Sequence, residues 1–280
     1  MSISVLTNVA SLNAQRNLAA TSTSLAGSIG RLSSGLRINT AADDAAGLGI
    51  SENLKANIRS LTQAQRNTND AISMSQVAEG GMNEMQGIVS RMRELAVQSS
   101  NNTLGGNERG YIQTEFKQLQ SEINRIGQVT EFAGQKLLDG SASTGLTFQV
   151  GIQNTSNDRL AMSITKLTTS TLGSTSLHVA SASLSTATNA QKALGVFDKA
   201  IQQLSQSRAK VGAVQNRMTT TISNLSVAHE NLSAANSRIR DVDVASETAN
   251  LTKAQILSQA GMAVLSQANQ LPQAALSLLR

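Results

Sequence analysis

Apolar residues recur in alternating steps of three and four along much of this chain. Leu194, Phe197, Ile201, Leu204, Val211, Met218, Ile222, Leu225, Leu232 and Ile239 share one such register, interrupted by Arg208, Gln215, His229 and Asn236. The spacing puts them on one stripe of an α-helix. A helix over 194–239 runs roughly 70 Å at 1.5 Å per residue, and so long a stripe predicts a coiled-coil-like seam in which the polar interruptions set the register. Partner stripes lie in the first half: Leu54, Ile58, Leu61 and Ile72; then Met82, Met85, Val89, Met92 and Ala96; then Ile112, Phe116, Leu119, Ile123 and Ile126. Gly80 and Gly81 read as a hinge or a tolerated weak point. The Asn- and Gly-rich stretch 99–110 reads as a helix stop. The predicted fold is mainly α, a long antiparallel helical bundle or coiled-coil rod.

The two ends carry heptads. Leu18, Leu25 and Leu32 stand seven apart, with Ile29 and Leu36 in the alternate seam positions; Leu257, Val264, Leu271 and Leu278 stand seven apart, with Ala268 and Ala275 between them. Leu251, Met262, Leu265, Leu276 and Leu279 fall outside that second seam. A helix apolar on more than one face needs more than one neighbour, so these leucines are expected to meet other copies of the chain. Between 141 and 190 the composition shifts to Ser, Thr, Gly and Ala. Leu146, Phe148 and Val150, then Leu160, Met162 and Ile164, alternate as in a small β-hairpin. Residues 168–190 are open between strand, loop and linker, and the outermost surface is expected here. The resulting division has terminal helices 1–42 and 238–280, a helical rod 43–140 and 191–237, and a surface segment 141–190.

Composition sharpens this picture. A single Pro in 280 residues removes the commonest helix breaker. Aromatic residues make up 2%, so the core must come from Leu, Ile, Val, Met and Ala. The net charge of +5 is not gathered into a Lys/Arg run, and stacking side chains are scarce, so no nucleic-acid role is expected. The absence of Cys excludes disulfides and thiolate chemistry. No stretch is apolar enough to insert in a membrane. The first residues lack the pattern of a cleaved signal, so export would use a route that needs none.

Candidate chemistry is thin. Asp43 and Asp44 are adjacent and diverge on a helix; Thr40 and Asp43 have the spacing of a capping box. His229–Glu230 begins a zinc-peptidase pattern, but Asn231, Leu232 and Ser233 follow, without the second His. No cofactor, metal or catalytic residue is expected, so an enzyme is the weaker reading. Asn-x-Ser/Thr triplets at 101–103 and 154–156 are common by chance in such a composition.

Three stretches carry a resemblance: "LNAQRNLAATSTSLAGSIGRLSSGLRINTAADDAAGLGIS" (12–51), "RMRELAVQSSN" (91–101) and "RIRDVDVASETANLTKAQILSQAGMAVLSQANQLPQAALSLLR" (238–280). They closely resemble bacterial flagellin. The resemblance implies an extracellular helical homopolymer used for swimming, exported by a type III-like pathway. It also implies terminal helices that order on assembly and a short form without large outer domains. Implied partners are an export chaperone, a filament cap, hook-junction proteins and the vertebrate Toll-like flagellin receptor. Arg91, Leu95 and Glu115 match the family positions for receptor and subunit contact; Leu18, Leu25, Leu32, Leu257, Val264, Leu265, Leu271 and Leu278 fall to polymerisation. O-linked sugars on exposed Ser or Thr of 141–190 are a further implication. A hook-filament junction protein, with related ends, is the alternative.

Overall fold

The computed structural model describes residues 7–173 and 177–277. Within them the chain forms five α-helices, α1 (Val9–Ser34), α2 (Ala45–Ser100), α3 (Gly106–Val129), α4 (Ala187–Arg240) and α5 (Val244–Ser277). Two small antiparallel hairpins complete the elements. One pairs β1 (Glu131–Phe132) with β2 (Gln135–Lys136); the other pairs β3 (Leu146–Gln149) with β4 (Arg159–Met162), Leu146 opposite Met162 and Gln149 opposite Arg159. The mainly α bundle read from the stripes is present. The chain divides into two compact units, one of residues 1–58 and 230–280 and one of residues 59–229.

Local chemistry sets the helix limits. The Asn8 side chain accepts the Ser11 N–H at the start of α1, and Gly35, at φ 72°, ends it by donating its N–H to the Arg31 carbonyl. Only glycine takes that left-handed conformation cheaply. The capping box expected at Thr40 and Asp43 is corrected. Asp43 accepts from the Asn39 and Thr40 N–H groups and the Thr40 hydroxyl in a turn ahead of the helix. Those bonds, the Thr40 N–H first, hold its carboxyl below the usual range. The cap of α2 is Asp44, which accepts the Gly47 N–H at 2.8 Å. At the other end of α2 the Arg109 guanidinium donates to the carbonyls of Ser99 and Asn101, satisfying acceptors that the helix leaves free.

In the 59–229 unit α2 runs antiparallel to both α3 and α4. Arg91 meets Glu115 on α3; Arg93 meets Asp198 and Gln65 meets Ser226 on α4. Two of the four polar interruptions of the α4 stripe are matched from α2: Arg208 donates to Gln86 and Gln215 to Glu79. The core holds Met82, Met85, Val89, Met92, Phe116, Ile123, Phe197 and Leu204, all fully buried. Phe116 and Phe197 meet edge to face, with ring centroids 5.7 Å apart. Gly81 is no hinge. The helix is continuous through it, and a Cβ there would lie 2.9 Å from Leu138 Cδ1 and Thr130 Oγ1, so the glycine admits the chain segment that follows α3.

The expectation of an outermost surface over 141–190 is also corrected. Leu167, Leu172, Val179, Ala182 and Leu184 are buried in the helical core. Their spacing has no period, since none of the described residues of this stretch belongs to a regular strand or long helix. Its backbone is held by a few backbone bonds, such as Ala180 N–H to the Thr169 carbonyl, and by side-chain amides. Asn124 accepts the Thr169 N–H, Gln120 donates to the Val179 carbonyl, Gln113 accepts the Leu184 N–H, and Gln203 bonds both polar groups of Gly173. Buried backbone groups must be paired, and here three amides along one face of α3 do so.

Candidate assembly surface

In the 1–58/230–280 unit, α1 and α5 pair antiparallel. The Asn8 amide donates to the Ala268 carbonyl at 2.8 Å, Ser11 Oγ to Asn269 Oδ1 at 2.9 Å, and Arg31 to Glu247 at 2.8 Å. Between these rungs Leu18 packs on Gly261, where a Cβ would lie 3.3 Å from Leu18 Cδ1. At the base, Leu36 bridges Asp241, with Arg37 donating its N–H to the Arg240 carbonyl and Val242 to that of Gly35. Leu18, Leu25 and Leu32 are half-buried along the seam of α1, whereas Ile29, expected in the alternate seam position, faces outward.

The seam of α5 differs from the expected one. Its buried and half-buried positions are Glu247, Leu251, Ala254, Ser258, Gly261, Leu265 and Ala268. Leu257 and Val264 face outward, 49% and 58% exposed, whereas Leu251 and Leu265, expected off the seam, lie on it. The reason is steric. Leucines on α1 fill much of the space between the helices, so α5 faces them mostly with small residues, Ala254, Ser258, Gly261 and Ala268, with Leu251 and Leu265 placed among them. The side chains of Leu271 and Leu276, and all of Leu278 and Leu279, lie outside the described residues.

The outward faces are strongly apolar. Val9, Leu12 and Ile29 on α1, and Val244, Ile256, Leu257, Met262 and Val264 on α5, are all exposed. Val9, Leu12 and Ala19 with Gln15 and Arg16 line a groove of about 460 Å³.

One charged group is buried in this pair, alongside the buried hydroxyls of Ser11 and Ser28. Glu247 is 7% exposed and accepts from Arg31 Nε at 3.1 Å and Nη2 at 2.8 Å. The Arg31 guanidinium first, then the Ser28 hydroxyl, hold its carboxyl below the usual range, and the same pairing raises Arg31. Sequence reasoning missed this contact. The signal was available, since Glu247 sits four residues ahead of Leu251 and seven ahead of Ala254 on the seam.

In the other unit, Arg91 Nε donates to Glu115 Oε1 and Nη1 to Glu94 Oε2, both at 3.0 Å. The side chains of Arg91 and Glu115 are 51% and 45% exposed. Leu95 does not share their surface. It is 2% exposed, inside the core with Ile112 and Phe116, so the expected apolar anchor beside Arg91 is absent and the residue supports the helix pair from within. Among the described residues no cluster of three His, Cys, Asp or Glu side chains is placed to hold a metal. No described helix is long and apolar enough to cross a membrane.

Comparison with known proteins bears on what such a surface serves. Residues 5–143 match the model of the bacterial flagellin N-terminal helical region, and residues 194–279 that of the C-terminal helical region. The chain belongs to the bacterial flagellin family. It is 46% identical over 275 residues to a flagellin of Halalkalibacterium halodurans, covering 98% of each chain. It is 41% identical over 283 residues to the flagellar filament 33 kDa core protein of Treponema phagedenis, again covering 98% of each. A crystal structure of Bacillus cereus flagellin aligns with 61% of this chain and 94% of its own at 28% identity and a TM-score of 0.49. Flagellins are structural filament proteins, not enzymes, and they self-associate into the extracellular flagellar filament. The 280-residue length fits a short form without large outer domains.

Proposed function

We propose that copies of this chain join through the outward apolar faces of the α1–α5 pair into the flagellar filament that drives swimming. One observation supports this reading: two helices already paired with each other still expose Val9, Leu12, Ile29, Ile256, Leu257, Met262 and Val264. Ordering a residue costs about 1–2 kcal/mol of backbone entropy, so a pair with so much exposed apolar surface gains most of its stability on assembly. Head-to-tail contacts that do not close produce a helical fibre. Leu18, Leu25, Leu32 and Leu265 hold the pair, and Leu257 and Val264, with Leu271 and Leu278, supply contacts to neighbours. Export through a type III-like channel, with a dedicated chaperone, cap and hook-junction proteins as partners, belongs to the same reading. Deleting 269–280 is expected to leave a folded 59–229 unit and abolish polymerisation; normal filaments from the truncated chain would refute it. Unlimited growth from filament seeds distinguishes a filament subunit from a junction protein, which stops after a few layers.

The exposed Arg91–Glu115 pair supports a second role for the other unit, as a subunit contact and as the surface engaged by the vertebrate Toll-like flagellin receptor. Arginine offers a planar fork of donors suited to such a contact. Arg91→Ala is expected to weaken receptor binding by about tenfold, and intact filament to bind less than monomer. Equal binding by cross-linked filament and monomer would refute the shared surface.

A further inference from the structure

We propose that the ion pair between half-buried Arg31 and buried Glu247 is the register lock of the α1–α5 helix pair. This rests on the assembly reading above only for its consequence, since an outward apolar stripe can meet its neighbours only if the two helices are correctly aligned.

The apolar seam by itself does not choose the alignment. In the observed register Leu18 lies on Gly261, and the constant antiparallel spacing defined by the rungs at both ends sets Leu25 level with Ala254 and Leu32 level with Glu247. Sliding α5 by one heptad would bring Leu18 level with Ala268, Leu25 with Gly261 and Leu32 with Ala254. In the slipped state each leucine meets a glycine or an alanine, as Leu18 and Leu25 do in the observed one, so apolar packing distinguishes the two states weakly. Heptad repeats of small and large residues are open to such slips unless a polar group intervenes.

Glu247 is that group. In the observed register its carboxylate takes two hydrogen bonds from Arg31, and Ser28, 1% exposed, lies beside them. After a one-heptad slip Arg31 would lie level with Lys253 and Ala254, where no carboxylate stands, and Glu247 would lie beyond the end of α1. Separating a largely buried charge from its partner is strongly unfavourable. The bridge between Leu36 and Asp241 anchors the base of the pair through the backbone. Arg31–Glu247 is the first contact above that base in which side chains discriminate between registers.

The chain has no cysteine, which makes the alignment directly readable. Leu18 Cβ lies 4.0 Å from the position of a Cβ on Gly261, within the span a disulfide bridges. Two reporter chains are made, Leu18→Cys with Gly261→Cys for the observed register and Leu18→Cys with Ala268→Cys for the slipped one. Both are oxidised with glutathione disulfide, in the monomer and after seeded growth. With Arg31 and Glu247 intact, the first reporter should cross-link within the chain and the second should not. Glu247→Ala is expected to raise the slipped cross-link on the order of tenfold and to slow seeded elongation. The charge swap Arg31→Glu with Glu247→Arg is expected to restore the first reporter. A slipped cross-link no higher in Glu247→Ala, or a charge swap that behaves like the single variant, would overturn the lock. Failure of the first reporter in the intact background would overturn the register itself. A register shift without any effect on filament growth would leave the lock standing and count against the assembly reading instead.

Discussion

Leu95 tests most directly whether a residue matched to a contact motif acts at the surface or beneath it. At 2% exposure, and clustered with Ile112 and Phe116, its side chain should contribute to folding of the 59–229 unit. Leu95→Ala deletes three carbons, about 2.4 kcal/mol at 0.8 kcal/mol per buried methylene. The cavity left behind brings the cost to about 3 kcal/mol. With a urea slope of roughly 2 kcal/mol per molar, the unfolding midpoint should fall by about 1.5 M. Arg91→Ala, one helical turn away and half-exposed, should leave it nearly unchanged, because ion pairs in open solvent contribute little. The assay is helical circular dichroism against urea on the full chain, with receptor binding measured separately below the unfolding transition. If Leu95→Ala unfolds at the wild-type midpoint, or Arg91→Ala shifts it as far, the assignment of core and surface roles is wrong. If Leu95→Ala loses receptor affinity while fully folded, the leucine acts in recognition after all.

Two further outcomes follow from the same geometry. The Glu247 carboxyl is held below its ordinary range by Arg31, so its stabilisation is complete above the unfolded value of about 4.3 and disappears as pH falls through the lower folded value. Acid should therefore weaken α1–α5 pairing in the wild type more than in Glu247→Gln, and parallel acid titrations of the two by circular dichroism would contradict this. At the two adjacent glycines of α2, Ala should have opposite effects. Gly80→Ala meets nothing within 4 Å and should stabilise by about 1 kcal/mol, whereas Gly81→Ala would meet Leu138 and Thr130 at 2.9 Å and should destabilise; equal thermal midpoints would refute the close approach.

The amino-acid sequence alone determined the helices. Steps of three and four over tens of residues, one proline and the stop at 99–110 leave few alternatives to long α-helices, because backbone hydrogen bonding is local and an amphipathic stripe must be covered. The β3–β4 hairpin was legible for a similar reason, since alternation and a polar loop are local signals. Family membership was legible too, in the long motifs at both ends. What only the tertiary structure decided was which face meets which. Leu257 and Val264 form a heptad as regular as that of Leu18 and Leu25, yet α5 turns Ala254 and Gly261 toward the leucines of α1 and carries Leu251 and Leu265 on the seam instead. Leu95 carries the same motif as Arg91 but points into the core. Leu167, Leu172, Val179, Ala182 and Leu184, without periodicity, become core beside backbone that amides on α3 and α4 hold from far away in sequence. Glu247 looks like any helical glutamate until Arg31, more than 200 residues away, is placed beside it. Such assignments depend on the volume and charge that distant segments bring to the same point, and no local pattern carries that information.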